Sequence, residues 1–200
     1  HPWVGGPPYV NVETGESRDT PPDGWQTNPN HPWVGGPPYV NTETGETSDT
    51  PPDGVTKKEA LPIFKESMRI VAEEMSDLGI QVIIEALNPE FRPNSLLTTS
   101  AEVMAIIEEL NHPNLGMEYD AYHMYGTEGH MEETVEKYLS YIGNIQIADL
   151  PGRGEPGTGK INYESFLSTL DRIGYDNWVA LEYVPTGDTV KTLKWIEKWR

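Results

Sequence analysis

From residue 55 onward, apolar residues recur at helical and strand spacings by turns. In "TKKEALPIFKESMRIVAEEMSDLGI" (56–80), Leu61, Phe64, Met68, Val71, Met75 and Leu78 fall three or four apart, the period of one helix face. Thr56 with Glu59 three residues on has the form of a capping box, and Pro62 is expected to disturb the second turn. "QVIIEAL" (81–87) is a strand candidate. Thr99 with Glu102 opens a second helix, with Val103, Ile106, Ile107 and Leu110 on one face. "GMEYDAYHM" (116–124) predicts a second strand, and Met131, Val135, Leu139 and Ile142 predict a helix. "NIQIADL" (144–150) predicts a third strand, and Phe166, Leu167, Leu170 and Ile173 a helix stopped by Gly174. "WVALEYV" (178–184) predicts a fourth strand, and Val190, Leu193, Ile196 and Trp199 a closing helix. Mostly apolar strands alternating with helices predict an α/β fold of parallel βα units.

The first 54 residues follow another pattern. "HPWVGGPPYVNVETGESRDTPPDG" from His1 returns with an offset of 30 as "HPWVGGPPYVNTETGETSDTPPDG", changed only at Val12/Thr42, Ser17/Thr47 and Arg18/Ser48. Two copies are fewer than a solenoid needs. Within each unit, "YVNVETGE" or its variant predicts a short hairpin, and "DTPPDG" a turn or polyproline stretch. Apolar residues are too few for a core, so the segment is expected to be marginally structured, a low-complexity spacer. Pro21 to Pro52 is faintly similar to a WW domain, with Trp25 and Tyr39 in place but Asp49 where a ligand-stacking tryptophan belongs. The division is therefore residues 1–54, a tandem-repeat segment, and residues 55–200.

Charge narrows the partners. The formal net charge is −18, of which the first 54 residues, with eight acids and one base, supply −7. An acidic surface argues against nucleic acid or an anionic membrane and suits small molecules or metal cations. There is no cysteine, which excludes disulfides and thiolate metal sites. No stretch is long or apolar enough to span a membrane and no secretory leader is visible, so the expected address is cytoplasmic. The chain begins with His1, as a processed chain, a fragment or an artificial one does.

Each strand candidate carries one polar side chain near its carboxyl end: Glu85, Asp120, Gln146 and Glu182, at spacings of 35, 26 and 36 residues. Neighbouring parallel strands would bring these four together at one end of the sheet, which in a barrel is the catalytic end. Three carboxylates and an amide oxygen repel one another unless a positive group sits between them. An all-oxygen set suits a hard divalent cation, Mg²⁺ or Mn²⁺. The competing reading is four strand-end residues, each paired with a local donor.

"IEALN", "PNLGMEYDAYHM", "IQIADLPGRGEPGTGKINY" and "IGYDNWVALEYVP" carry a resemblance. From about Ala60 to Arg200 the chain resembles the C-terminal half of hydroxypyruvate isomerase-like proteins. These belong to the xylose isomerase-like barrel superfamily, with the ketose 3-epimerases and family-2 AP endonucleases. Gln146 is similar to the hydroxypyruvate isomerase branch, where epimerases tend to have histidine. The resemblance implies a (β/α)₈ barrel with a divalent metal at Glu85, Asp120, Gln146 and Glu182. It implies Glu85 and Glu182 as the acid/base pair, and His123 and Arg153 as contacts to substrate oxygens. The rigid "PGRGEPGTG" loop then holds Arg153 over the strand ends as a planar fork for an anionic group, with Glu155 holding the arginine or the loop.

The implied reaction is an aldose–ketose type isomerisation of hydroxypyruvate to 2-hydroxy-3-oxopropanoate through an enediolate. A sugar 3-epimerase or a sugar-phosphate lyase on the same scaffold is the alternative within the superfamily. The resemblance covers four strands, where a full barrel needs about eight strands and roughly 250 residues. Two sheet edges and one apolar face are then expected to stand open. A second copy pairing as a homodimer or a complementing half-barrel chain would close them. Otherwise the half-barrel is catalytically inactive and the repeats act as a spacer or binding module.

Overall fold

The computed structural model describes residues 55–199, and before them five two-residue strands. Two compact units divide at residues 55 and 56. In the first, Tyr9–Val10 pairs antiparallel with Ser17–Arg18, and Tyr39–Val40 with Thr47–Ser48 in the same register one repeat later. Both copies thus show the antiparallel strand pairing of the predicted hairpin, whose turn lies outside the described residues. Gln26–Thr27 adds a third strand beside Tyr9–Val10. The Pro-Pro turns and the side chains of the WW-like stretch lie outside the described residues.

The second unit alternates as predicted. Helix α1 (Lys57–Ser76) leads to β1 (Val82–Glu85), and α2 (Ser100–Leu110) to β2 (Leu115–Asp120). Helices α3 (Ala121–Thr127) and α4 (Met131–Tyr138) precede β3 (Ile142–Ile147). Helix α5 (Tyr163–Ile173) precedes β4 (Trp178–Leu181), and the short α6 (Thr189–Thr192) follows it. The four strands lie side by side in chain order, all parallel. This is the α/β architecture of a partial TIM barrel, with helical crossovers returning the chain to the same end of the sheet.

Local chemistry starts and stops the elements. Thr56 and Glu59 cap α1 reciprocally: the Thr56 amide donates to Glu59 Oε2 at 2.9 Å and the Thr56 hydroxyl accepts from the Glu59 amide at 3.4 Å. Thr99 caps α2 by accepting from the Glu102 amide, and Gly174 ends α5 at φ +76°. Pro62 does not break α1, contrary to expectation. It lies near the helix start, and the carbonyl it leaves unbonded, that of exposed Lys58, is open to water.

Three boundaries differ from the pattern. The second strand ends at Asp120, not Met124, because the Asp120 carboxylate caps a new helix at once. Ile142 opens β3 instead of closing a helix, since a 3-10 turn over Leu139–Tyr141 intervenes. The closing helix is one α turn followed by 3-10 helix from Leu193 to Trp199, and Val190 is exposed.

The two faces of the sheet divide by alternation. Ile84, Met117, Tyr119, Ile145 and Ile147 point to the helix side, buried against Val103, Ile106 and Ile107 of α2, Val135 of α4 and Phe166 of α5. The register sets Glu85 level with Glu118, Glu118 level with Asn144, and Asp120 level with Gln146 on the other side. That face is therefore polar toward the carboxyl ends of the strands, while Trp178, level with Asn144, leaves one large apolar side chain open on it, 83% exposed. Inward positions that serve a site alternate with outward ones that make the core. Below them, Gly116 and Gly143 admit the Gln81 side chain: a Cβ on Gly143 would lie 2.5 Å from Gln81 Oε1.

Phe166 is fully buried, its ring 6.2 Å from that of Tyr119 and 6.3 Å from that of Tyr163. Phe166→Ala should lower the unfolding free energy by about 3–5 kcal/mol in a urea titration; a loss below about 1 kcal/mol would mean that this layer is not the core.

Candidate active site

Asp120 is the centre of the site. It ends β2 and caps α3, its Oδ1 accepting from the Tyr122 amide at 2.8 Å and the His123 amide at 3.4 Å. Its Oδ2 faces Arg153 Nη2 at 3.4 Å and His123 Nε2 at 3.7 Å. Burial pushes its pKa up to about 7, against the opposing pull of the Tyr122 amide and the Arg153 charge.

Glu85 closes β1. Burial and the nearby Asp120, Glu182 and Glu118 carboxylates push it up to about 8. Ligand atoms of Glu85, Asp120 and His123 all lie within 4.8 Å of one another. Glu182 falls just beyond β4, its amide donating to the Ile147 carbonyl at 3.1 Å, which continues the strand's alignment. Gln146, level with Asp120 on β3, has a buried Oε1 with no hydrogen-bond partner.

Arg153 joins the row. Its Nη2 bonds both Glu182 and Asp120, its Nε donates to the Glu182 carbonyl at 3.3 Å, and the guanidinium lies 5.0 Å from the Tyr122 ring centroid. The positive charge demanded by clustered acids is thus partly supplied by the protein itself. Glu155 bonds Thr186 and not the row. Its carboxylate accepts from the Thr186 amide at 3.0 Å and the Thr186 hydroxyl at 2.6 Å, tying the arginine's loop to the segment after β4.

His123 sits on α3, not on a strand. It is buried, and its Nδ1 accepts from the Asn88 amide at 3.2 Å. Burial, with the charges of Arg153 and Arg92, lowers its pKa to about 4. The neutral ring therefore carries its proton on Nε2 and is a donor there.

The sequence pattern alone passed over three residues. Glu118 lies two before Asp120, hence on the same face, and accepts from Asn144 Nδ2 at 2.6 Å; the period-2 rule was the available signal. Tyr122 supports Arg153 and packs on Phe91 at 5.1 Å. Asn88 sets the His123 tautomer through its backbone, which no side-chain pattern encodes.

The residues fit a divalent cation. Carboxylates crowded enough to raise one another's pKa, beside an orphaned amide oxygen, form an oxygen donor set in want of positive charge. His123 in its present tautomer offers a proton on Nε2 instead of a lone pair.

Linkage gives the pH response. Glu85 and Asp120 have folded-state values above their ordinary 4.5 and 3.8, so the stability they confer is complete at low pH and lost as pH rises through about 7 and 8. His123 is depressed from 6.5, so its contribution appears as pH rises through about 4 to 6.5 and is constant beyond. With chelator present, the urea midpoint should therefore fall between pH 6.5 and 8, the unfolding free energy dropping by at most about 1.4 kcal/mol per pH unit for each proton released. Glu85→Gln should flatten that fall. A midpoint that holds or rises across this window contradicts the buried-acid account.

Comparison with known proteins agrees with this architecture. The family model described as xylose isomerase-like TIM barrel matches residues 34–199. The hydroxypyruvate isomerase of Escherichia coli is 36% identical over 135 residues, covering 68% of this chain and 52% of that protein. The 2-oxo-tetronate isomerase of Haemophilus influenzae is 32% identical over 145 residues, covering 72% and 56%. A solved structure titled AP endonuclease, family 2, from Brucella melitensis superposes with a TM-score of 0.71 at 32% identity, covering 74% of this chain and 57% of that one. The chain spans about half the length of the curated relatives it matches. With parallel strands, strand-end acids and a family match over most of its length, this chain belongs to the xylose isomerase-like TIM barrel family.

Proposed function

We propose that this chain carries the metal-binding and proton-transfer half of an isomerase that interconverts hydroxypyruvate and 2-hydroxy-3-oxopropanoate. The observation that carries the reading is the row Glu85, Asp120, Gln146 and Glu182 at the carboxyl ends of four adjacent parallel strands. The named relatives act on hydroxypyruvate or 2-oxo-tetronate, both 2-oxo acids with a hydroxyl on the neighbouring carbon.

The four row residues would hold Mg²⁺ or Mn²⁺. When bound, the cation supplies Lewis-acid polarisation of the substrate carbonyl and balances the charge that develops on its oxygen. Glu85 and Glu182 stand at opposite edges of the sheet, so they approach the substrate from two sides. One takes a proton from C3 and the other returns a proton to C2, while the C3 hydroxyl proton passes to the C2 oxygen. The product keeps the atoms of the substrate: the C2 ketone becomes a hydroxyl and the C3 hydroxyl an aldehyde. His123 Nε2–H donates to a substrate oxygen, and Arg153, whose Nε and Nη2 are taken by Glu182 and Asp120, offers its Nη1 to the carboxylate. Glu155, through Thr186, keeps the arginine's loop in place. β1 and β4 each have one side unpaired among the described residues, and the reading includes a facing wall, either a second copy or a complementing half-barrel chain. No helix of the described residues is long and apolar enough to cross a membrane.

Mn²⁺ titration and isomer formation followed by NMR in deuterated buffer test the proposal. The expected result is saturable Mn²⁺ binding weakened at least ten-fold in Glu85→Gln and Glu182→Gln. Turnover of hydroxypyruvate, with deuterium entering the product, should fall about 10²–10⁴-fold in the same variants. Variants that bind Mn²⁺ as tightly as the parent chain would overturn the site.

A further inference from the structure

Asp149 follows β3 and is wholly buried. Its carboxylate accepts three backbone N–H groups from across the glycine-rich loop: Leu150 at 2.9 Å and Ile161 at 3.0 Å on Oδ1, and Gly157 at 2.8 Å on Oδ2. Its own amide donates to the Gly154 carbonyl at 2.8 Å, and the Lys160 amide donates to the Leu150 carbonyl at 2.7 Å. One side chain thus closes a loop of twelve residues on itself, using charge-assisted hydrogen bonds that are stronger than neutral ones. Gly159 packs so tightly inside that a Cβ there would lie 2.5 Å from Asp149 Oδ1 and 2.3 Å from the Leu150 carbonyl.

Arg153 lies at the tip of this closed loop, one residue before the Gly154 carbonyl that Asp149 holds. Its backbone sits at φ +57°, a left-handed conformation that is unfavourable for a non-glycine residue. A residue so placed relaxes unless its surroundings hold it. The Val184 amide, which donates to the Arg153 carbonyl at 2.7 Å, holds one side. The Asp149 network holds the other.

We propose that Asp149 is the positioning residue for Arg153: it folds the loop into the shape that delivers the guanidinium to Asp120 and Glu182. This rests on the reading of that row as the active site. The hydrogen bonds of Asp149 stay within its own loop, and none reaches a residue of the row. An asparagine in its place keeps one acceptor oxygen and turns the other toward an N–H as a second donor. The loop then loses its closure, and Arg153 leaves the acids.

Labelling of the full chain with phenylglyoxal, read arginine by arginine by peptide mass spectrometry, tests this. In Asp149→Asn, Arg153 should be modified at least ten-fold faster than in the parent chain. Arg172 and Arg69, on helices away from the loop, should be unchanged, which a general loosening of the fold would not produce. Equal rates at Arg153 in the two proteins, or acceleration of all three arginines alike, would overturn the proposal. Hydrogen exchange in the parent chain decides the matter even where the variant does not fold. The Gly157 and Ile161 amides should be protected like those of β3, and exchange at the free-peptide rate would mean that no such closure exists. Neither readout uses Mn²⁺ or turnover. A parent chain that fails to bind Mn²⁺ therefore counts against the function, while the arginine rates and amide exchange still decide the role of Asp149.

Discussion

The structure depends on the crowding of acids at one end of a parallel sheet. Asp120 is almost fully buried. Water cannot relieve the repulsion among crowded acids at a buried site, so the protein must use what it has nearby. Backbone amides at the start of α3 take one oxygen of Asp120, and Arg153 takes the other along with Glu182. The demand is only partly met, because the Gln146 oxygen stays unbonded and Glu85 keeps a raised pKa. That remainder is what the proposed cation binding rests on.

Holding an arginine above the strand ends requires a loop that is rigid without a core beneath it. Prolines and glycines limit its backbone states, but they do not choose one. The choice is made by fixed carboxylates. Asp149 draws in the amides on the inside of the loop, and Glu155 binds Thr186 on the outside. Tyr122, carried by the same helix that Asp120 caps, gives the guanidinium an aromatic surface to lie on. The acid that needs the positive charge and the ring that supports it are two residues apart in sequence. Helix α3 therefore places both at once.

Much of this was legible in the sequence because it rests on local rules. The capping pairs Thr56/Glu59 and Thr99/Glu102 announce their helices, Gly174 announces an end, and the four polar residues near the strand ends imply a common edge. What escaped has a physical reason in each case. The second strand reads on past Asp120 because the tyrosine after it favours strands, yet the Asp120 side chain ends the strand by capping a helix. The polar face was hidden because Glu118 and Asn144 are separated by a whole βα unit and meet only through the register, which shifts between Met117 and Glu118. Asp149 escaped because a single acid before a proline-rich loop looks like a turn residue. Its importance lies in three amides up to twelve residues away.

The division of labour across the sheet explains how half the length of its relatives can hold this geometry. Stability comes from the helix side, where Met117, Tyr119, Ile145 and Ile147 meet α2, α4 and α5 in one continuous cluster. Every βα unit contributes one face to that cluster, so the layer is closed by neighbours in the sequence and needs no strand from across a barrel. The proposed chemistry lies on the other side, where the demands are opposite: polar groups close together, partly unsatisfied, and kept from bulk water. A half-barrel meets the first two demands with its own strands. The third needs a wall facing Glu85 and Glu182, because a carboxylate pair in open water gains little from its neighbours and exchanges protons with the solvent as readily as with a substrate. The helix layer therefore governs whether the chain folds, and the covering of the polar face governs whether its acids can act on a bound molecule.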